Sequence, residues 1–334
     1  MSLAQAVELV RRGQRFLVTC HVMPDPDAVG SMLGLVHVLR HLGKDVVIYN
    51  RDPIPDSVSF LPAASEVVSK LPVGVKYDAT FITDTAARSL LPTQFPPRDV
   101  TGPIVIVDHH VAHDDFGDVI VRDVNACATG VVVMQLAEAL GVHDLPKEAA
   151  APLYAAIIAD TGGFRYPNTT ADTLRIAARL IDIGVEPWQV AMNVFESWPM
   201  PRMRLLGCAI DVLETEHNGR IAVQCIPLSM IEEVGATQQM VEGMVEYGRR
   251  LRGVEIAAML WERAPRADET GTGKLLTRVS LRSAGTADVS RVAVALGGGG
   301  HRAAAGATVR LDMQTVRARV VKESARELGI IEPG

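Results

Sequence analysis

Aromatic residues are scarce in this chain: Phe, Tyr and Trp together make up 4% of 334 residues. No strand-like segment concentrates them, so a sheet that stacks bases on aromatic rings, as in RNA-recognition modules, is excluded. Positive charge is in short supply as well. The formal net charge is −6, which argues against a protein that coats long nucleic acid with a broad basic face. Only four cysteines occur, Cys20, Cys127, Cys208 and Cys225; they lie far apart, form no C-x-x-C pair, and read as reduced thiols of a cytosolic protein. No apolar run approaches the roughly 18 residues of a membrane span. Residues 1–16 carry Arg11, Arg12 and Arg15 and lack the apolar centre of a secretory signal. There is no internal repeat, no low-complexity tract and no P-loop lysine motif.

What is present is a large apolar fraction, 48% against 22% charged residues, enough for a buried core in a chain long enough for two domains. Charge is unevenly spread: residues 1–200 hold 15 Lys+Arg and 23 Asp+Glu, and residues 201–334 hold 18 and 16. An acidic first part suits cation binding. A mildly basic second part suits short phosphate-bearing ligands.

The most informative segment is His21-Val22-Met23-Pro24-Asp25-Pro26-Asp27, which places an imidazole and two carboxylates directly after the apolar run 16–20. Two more strand-like runs end in the same manner. Residues 77–83 lead into Asp84, and the wholly apolar run 104–107 leads into Asp108-His109-His110. Such runs fit strands of a parallel sheet, whose carboxyl edge is where sites form in open α/β folds. Asp160, closing a helix-like stretch, is a fourth acidic candidate. A lone Asp at a strand end is usually a turn former or helix cap; several converging on one edge argue for a site. Mixed imidazole and carboxylate ligands suit Mn, Mg, Fe or Zn. Cys20 adjoins His21, but strand alternation turns it towards the core.

Strand and helix signals alternate through residues 1–185, predicting a mainly parallel sheet with helices on both faces. Proline-interrupted residues 186–202 predict a helical linker. Residues 203–334 predict a smaller α/β domain, with strands at 220–226, 254–261 and 275–281, an exposed loop over 263–274, and helices at 288–296 and 313–328. The quartet Gly297-Gly298-Gly299-Gly300 is expected to expose backbone N–H groups to a phosphate, with His301 beside it and Arg282 on the preceding strand as further grips. Arg165, after Asp160, and Thr129 are additional substrate-binding candidates. Arg249, Arg250 and Arg252 read as a solvated helix end.

In the order His21 to Ser31, Asp84-Thr85-Ala86, Asp108-His109-His110, Asp160 to Arg165, Ser280 to Ser283 and Gly297 to His301, these motifs resemble the DHH phosphoesterases over nearly the whole chain. The resemblance is strongest to small bacterial oligoribonucleases that also dephosphorylate phosphoadenosine phosphate (pAp). It implies a DHH catalytic domain at 1–185 and a DHH-associated substrate-binding domain at 203–334. It further implies two divalent ions, Mn²⁺ favoured over Mg²⁺ or others. His21 and Asp25 would hold one ion, Asp27, His109 and Asp160 the other, and Asp84 would bridge them. Asp108 would orient its neighbours and His110 would face the scissile phosphate. The implied partners are short RNA or DNA oligonucleotides and nucleotides such as pAp; a membrane is not expected and a homodimer is allowed. The same scaffold also serves phosphodiesterases of linear dinucleotides and RecJ-like exonucleases. A non-catalytic nucleotide-binding regulator would have lost a metal ligand, and none is missing.

Overall fold

The computed structural model describes residues 2–111, 114, 116–264 and 276–330. The chain divides into two units, Met1–Ser197 and Trp198–Gly334, a division that falls within residues 186–202.

The first unit runs α1 (Ser2–Arg12), β1 (Arg15–Cys20), α2 (Pro26–His41), β2 (Asp45–Ile48), β3 (Ala79–Thr83), α3 (Arg98–Thr101), β4 (Ile104–Asp108), β5 (Val119–Arg122), α4 (Thr129–Ala139), α5 (Lys147–Asp160), α6 (Ala171–Ile183) and α7 (Pro187–Ala191), followed by a π-helical turn at Met192–Glu196. Its five strands pair in the order β2-β1-β3-β4-β5, all parallel. Both faces of the central strands are buried, which is why their sequences are continuously apolar rather than alternating. The faces are covered unequally. Phe16, Val18, Phe81, Val105 and Val107 meet α1, α2, α4, α5 and α6 in the main core. On the opposite face Leu17, Ile82, Ile104 and Ile106 are covered by α3 and irregular segments through Tyr49, Tyr77, Leu91 and Phe95. The helices therefore flank the sheet chiefly on one side.

Helix α2 is buried along most of its length. It crosses α5 so closely that a Cβ at Gly30 would lie 2.4 Å from the Pro152 carbonyl oxygen. This crossing fixes the start of α2, and with it Asp27, relative to the end of α5 and Asp160.

The second unit contains α8 (Met200–Asp211), β6 (Leu213–Glu216), β7 (Ile221–Ile226), α9 (Leu228–Glu233), α10 (Val245–Arg249), β8 (Ile256–Arg263), β9 (Leu276–Ser283), α11 (Val289–Ala295), β10 (Gly299–Gly300), β11 (Ala304–Val309) and α12 (Met313–Glu327). Its six strands order as β10-β11-β9-β8-β7-β6, parallel only between β7 and β8. One face packs on α11 and α12 through Val279, Leu281, Val292 and Val316; the other packs on α8, α9 and α10 through Ala257, Met259, Leu205 and Val245. The exposed loop expected over 263–274 lies, from residue 265 on, outside the described residues; Arg263 itself ends β8. No described helix is long and apolar enough to cross a membrane.

Gly30→Ala is expected to destabilise the first unit by about 2 kcal/mol, because the added methyl meets backbone that cannot move without shifting α5. Urea unfolding measures it. An unchanged midpoint would show that the two helices can separate freely.

Candidate metal centre

The ligand candidates reach one edge of the parallel sheet because each follows a strand or ends a helix there. His21 comes directly after β1. Its loop is held by Asn50, whose amide donates to the His21 carbonyl at 3.0 Å, and by Asp52, which accepts from the Met23 N–H at 2.7 Å. Asp25 caps α2, accepting from the Ala28 N–H at 2.9 Å, and Pro26 opens that helix. Asp84 follows β3 with φ +53°, a left-handed backbone unusual outside glycine and tolerated best by Asp and Asn.

Among the groups of ligand atoms that lie mutually within 4.8 Å, two fill this edge, His21, Asp25 and Asp84, and Asp27, His109 and Asp160, while Asp84, Asp108 and His110 form another. Asp84 faces each of the first two. Its Oδ2 lies 3.7 Å from His21 Nε2, and its Oδ1 lies 3.8 Å from His109 Nε2. His109 Nε2 is also 3.7 Å from Asp27 and 3.8 Å from Asp160. Backbone carbonyls fix both rings: His21 Nδ1 meets Val22 O at 2.9 Å and His109 Nδ1 meets Ala126 O at 3.2 Å. With Nδ1 set against a carbonyl, each ring turns its Nε2 towards the carboxylates. Asp108, fully buried at the end of β4, accepts from the His109 N–H at 2.8 Å and pairs with His110 Nδ1 at 2.7 Å.

The charges are unbalanced in a way that bears on metal binding. Among the described residues no lysine or arginine pairs with Asp25, Asp27, Asp84 or Asp160. Burial, reinforced by the charges of Asp84 and Asp160, pushes the Asp27 carboxyl well above its ordinary range. Burial also raises Asp160, to about 6, against the opposing influence of His109. At Asp84 the same burial is outweighed by His21, His110 and His109, which hold that carboxyl far below the usual range. His21 and His110 are each raised to about 9 despite burial, by Asp84 and Asp25 in one case and by Asp108 and Asp84 in the other. Carboxylates crowded in this fashion, with imidazole nitrogens directed at them, fit divalent cations.

Several residues stand where the sequence did not point. Thr129, expected at the substrate, is fully buried: its hydroxyl donates to Asp84 Oδ1 at 2.7 Å and its N–H to Asp27 Oδ2 at 2.9 Å. It holds carboxylates in place. Ser31, on α2, donates to Asp27 Oδ1 at 2.8 Å. Asn168 was missed; its amide bridges the carbonyls of Cys127 and Asp160 at 3.0 and 3.1 Å. Arg165 is exposed in the turn after α5, with Nε on the Gly162 carbonyl. Cys20 is buried in the core and accepts from Asn50 at 3.1 Å.

In the second unit the glycine quartet is narrower as a phosphate cradle than expected. The N–H groups of Gly297 and Gly298 close the end of α11, donating to Val294 and Ala293 at 2.9 and 2.8 Å. Gly298 also lies against β11, where a Cβ would meet the Gly306 carbonyl oxygen. Gly299 and Gly300 form the edge strand β10, paired with Gly306 and Ala305. His301 and Ala304 exchange backbone hydrogen bonds, and Ala304 is the register partner of Arg282. Arg282, Gly299, Gly300 and His301 thus gather at one end of the sheet.

A parallel sheet whose carboxyl edge carries this carboxylate and imidazole cluster defines a metal-dependent phosphoesterase. Residues 15–157 match the model of the DHH family N-terminal domain, and residues 218–326 match the DHHA1 domain. The bifunctional oligoribonuclease and PAP phosphatase NrnA of Thermus thermophilus is 33% identical over 93% of this chain and 89% of that protein. The Bacillus subtilis protein of the same name is 28% identical over 86% and 87%. An exopolyphosphatase-related protein from Bacteroides fragilis shares the fold, with a TM-score of 0.86 at 21% identity over 99% of this chain and 98% of that one. The chain belongs to the DHH family.

A cation needs neutral imidazole, so its binding at His21 must displace a proton that the metal-free site holds up to about pH 9. Affinity for Mn²⁺ should therefore rise with pH towards about 9 and be accompanied by proton release, read by calorimetry in buffers of different ionisation enthalpy. A pH-independent affinity without proton release would remove His21 from the ligand set.

Proposed function

We propose that this protein hydrolyses short oligonucleotides to mononucleotides with two divalent ions, Mn²⁺ in preference, and that it also removes phosphate from pAp. The observation that carries this reading is Asp84, which turns one carboxylate oxygen to each of the two ligand groups. The names of the Thermus and Bacillus relatives, which span nearly their full lengths on this chain, support the substrate class.

In this reading His21 and Asp25 would hold one ion, Asp27, His109 and Asp160 the other, and Asp84 would serve both. When bound, the ions would activate a water for attack and neutralise charge on the phosphate oxygens. The protein's own groups do the remainder. Asp108 engages His110 Nδ1 and presents Nε2 as a charged donor for the scissile phosphate. Thr129 keeps the Asp84 carboxylate from rotating. Arg165 is the candidate phosphate grip of the first unit, and Arg282, His301 and the edge strand at Gly299 and Gly300 are those of the second.

Asp84→Asn, which suits the left-handed backbone, should reduce hydrolysis of a dinucleotide to well below about a tenth of wild type, because one shared carboxylate serves both ions. Higher retained activity would exclude bridging.

The small number of phosphate grips also fixes substrate size. Longer strands add ordering cost without matching contacts. kcat/KM measured at fixed salt should fall beyond about five nucleotides, as expected where phosphate contacts supply most of the affinity. A value rising steadily to a twenty-mer would favour a processive exonuclease instead.

A further inference from the structure

The bracing of the second ligand group converges on one short strip, Ala126 to Gly130, where the chain enters α4. The Ala126 carbonyl meets His109 Nδ1 at 3.2 Å. The N–H groups of Thr129 and Gly130 donate to the Asp27 carboxylate at 2.9 and 3.3 Å, and the Thr129 hydroxyl donates to Asp84 at 2.7 Å. Asp160 is tied to the same strip through an intermediary. Asn168 Nδ2 donates to the Cys127 carbonyl at 3.0 Å and to the Asp160 carbonyl at 3.1 Å, and it lies 3.4 Å from Asp160 Oδ2. Three oxygens around one atom require a donor there, which fixes the orientation of the amide.

Asp160 is the ligand that needs such a tie. It is the last residue of α5, where carbonyls run out of helical partners and the helix dipole is unfavourable to a carboxylate. The chain then turns through Gly162, Gly163 and Phe164, all with left-handed backbone at φ +57°, +71° and +63°. The Asp160 side chain is 39% exposed, against 4% for Asp27 and 11% for His109, so packing leaves it room to swing. Asn168 is itself anchored by the start of α6. There Thr170 and Thr173 each accept the other's N–H on a side-chain hydroxyl at 3.2 Å.

We propose that Asn168 is a positioning residue for one ion of the pair. It locks the Asp160 carboxylate to the strip that already holds Asp27 and His109, so that these three ligands form a preset group. The affinity of that ion, and not of the ion at His21 and Asp25, depends on the amide. The proposal rests on the reading of Asp27, His109 and Asp160 as ligands of one ion. A donor that merely closed the end of α5 would change folding stability and leave both ion affinities alone.

Asn168→Ala removes the amide; Asn168→Leu replaces it with an apolar group of similar size. Mn²⁺ is titrated into each natively folded, metal-free protein, with free Mn²⁺ read by its electron paramagnetic resonance signal and thermal unfolding followed by circular dichroism. In both variants one ion should bind with wild-type affinity. The other should bind roughly ten- to a hundredfold more weakly, the scale expected when a group that orients a metal ligand is lost. kcat for a dinucleotide should fall at limiting Mn²⁺ and recover at saturating Mn²⁺, with KM unchanged. In an Asp160→Ala background Asn168→Ala should weaken metal binding no further. Wild-type affinity for both ions in either variant, an equal loss at both, or a further loss in the Asp160→Ala background overturns the proposal. Unchanged Mn²⁺ binding by Asp160→Ala alone would instead remove Asp160 from the ligand set, and the proposal would fall with that reading while the assignment of His21, Asp25 and Asp84 stood.

Discussion

The candidate site depends on one buried carboxylate that does the work of a helix cap. Helix α4 begins after Ala128, which has no side-chain oxygen to cap it. Asp27, from α2, accepts the N–H groups of Thr129 and Gly130 instead. Those donors and the positive end of the helix offset part of the cost of burying the charge. The same arrangement brings the Thr129 hydroxyl to Asp84. Helix packing and ligand placement are thus one interaction: a change that frees α4 from Asp27 also releases Asp84, and with it the carboxylate that faces both ligand groups.

Much of this was legible in the sequence, for identifiable reasons. The run at 104–107 fits a strand buried on both faces, and its ending in Asp108-His109-His110 put that triplet at the sheet edge. His21 and Asp84 followed by the same logic, and Asp160 as the acidic end of a helix-like stretch. Three kinds of feature stayed hidden. Strand β11 is built largely from alanine and glycine, whose β-propensity is low, and it exists through its pairing with β9. Thr129 and Asn168 act through hydrogen bonds between segments distant in the chain, which leave no local pattern. The glycine quartet looked uniform, yet two of its N–H groups close α11 and two of its residues pair with β11; composition cannot tell these apart.

Counting charges proved less informative than seeing how they pair. The first unit is acidic where it matters because Asp25, Asp27, Asp84 and Asp160 share a small volume with imidazoles and, among the described residues, pair with no lysine or arginine. The basic surplus of the second part is largely internal: Arg282 and Arg249 share Glu246, Arg220 pairs with Glu255, and Arg317 pairs with Glu214 and Glu216. Net charge thus marks which part of the chain meets cations without measuring how strongly the other meets phosphate.

The order in which the first unit's pieces occur also governs how it can be assembled. Helix α2 emerges early in synthesis, yet the helix that covers it, α5, ends only at Asp160. Until that point the nascent chain carries a largely apolar helix and the inner strand β1 with their packing surface uncovered, a state prone to aggregation and to capture by chaperones. His21, Asp25 and Asp84 precede Asp160 in the chain. The two ligand groups are therefore completed at different stages of synthesis, and the second is finished by the helix that also closes the core.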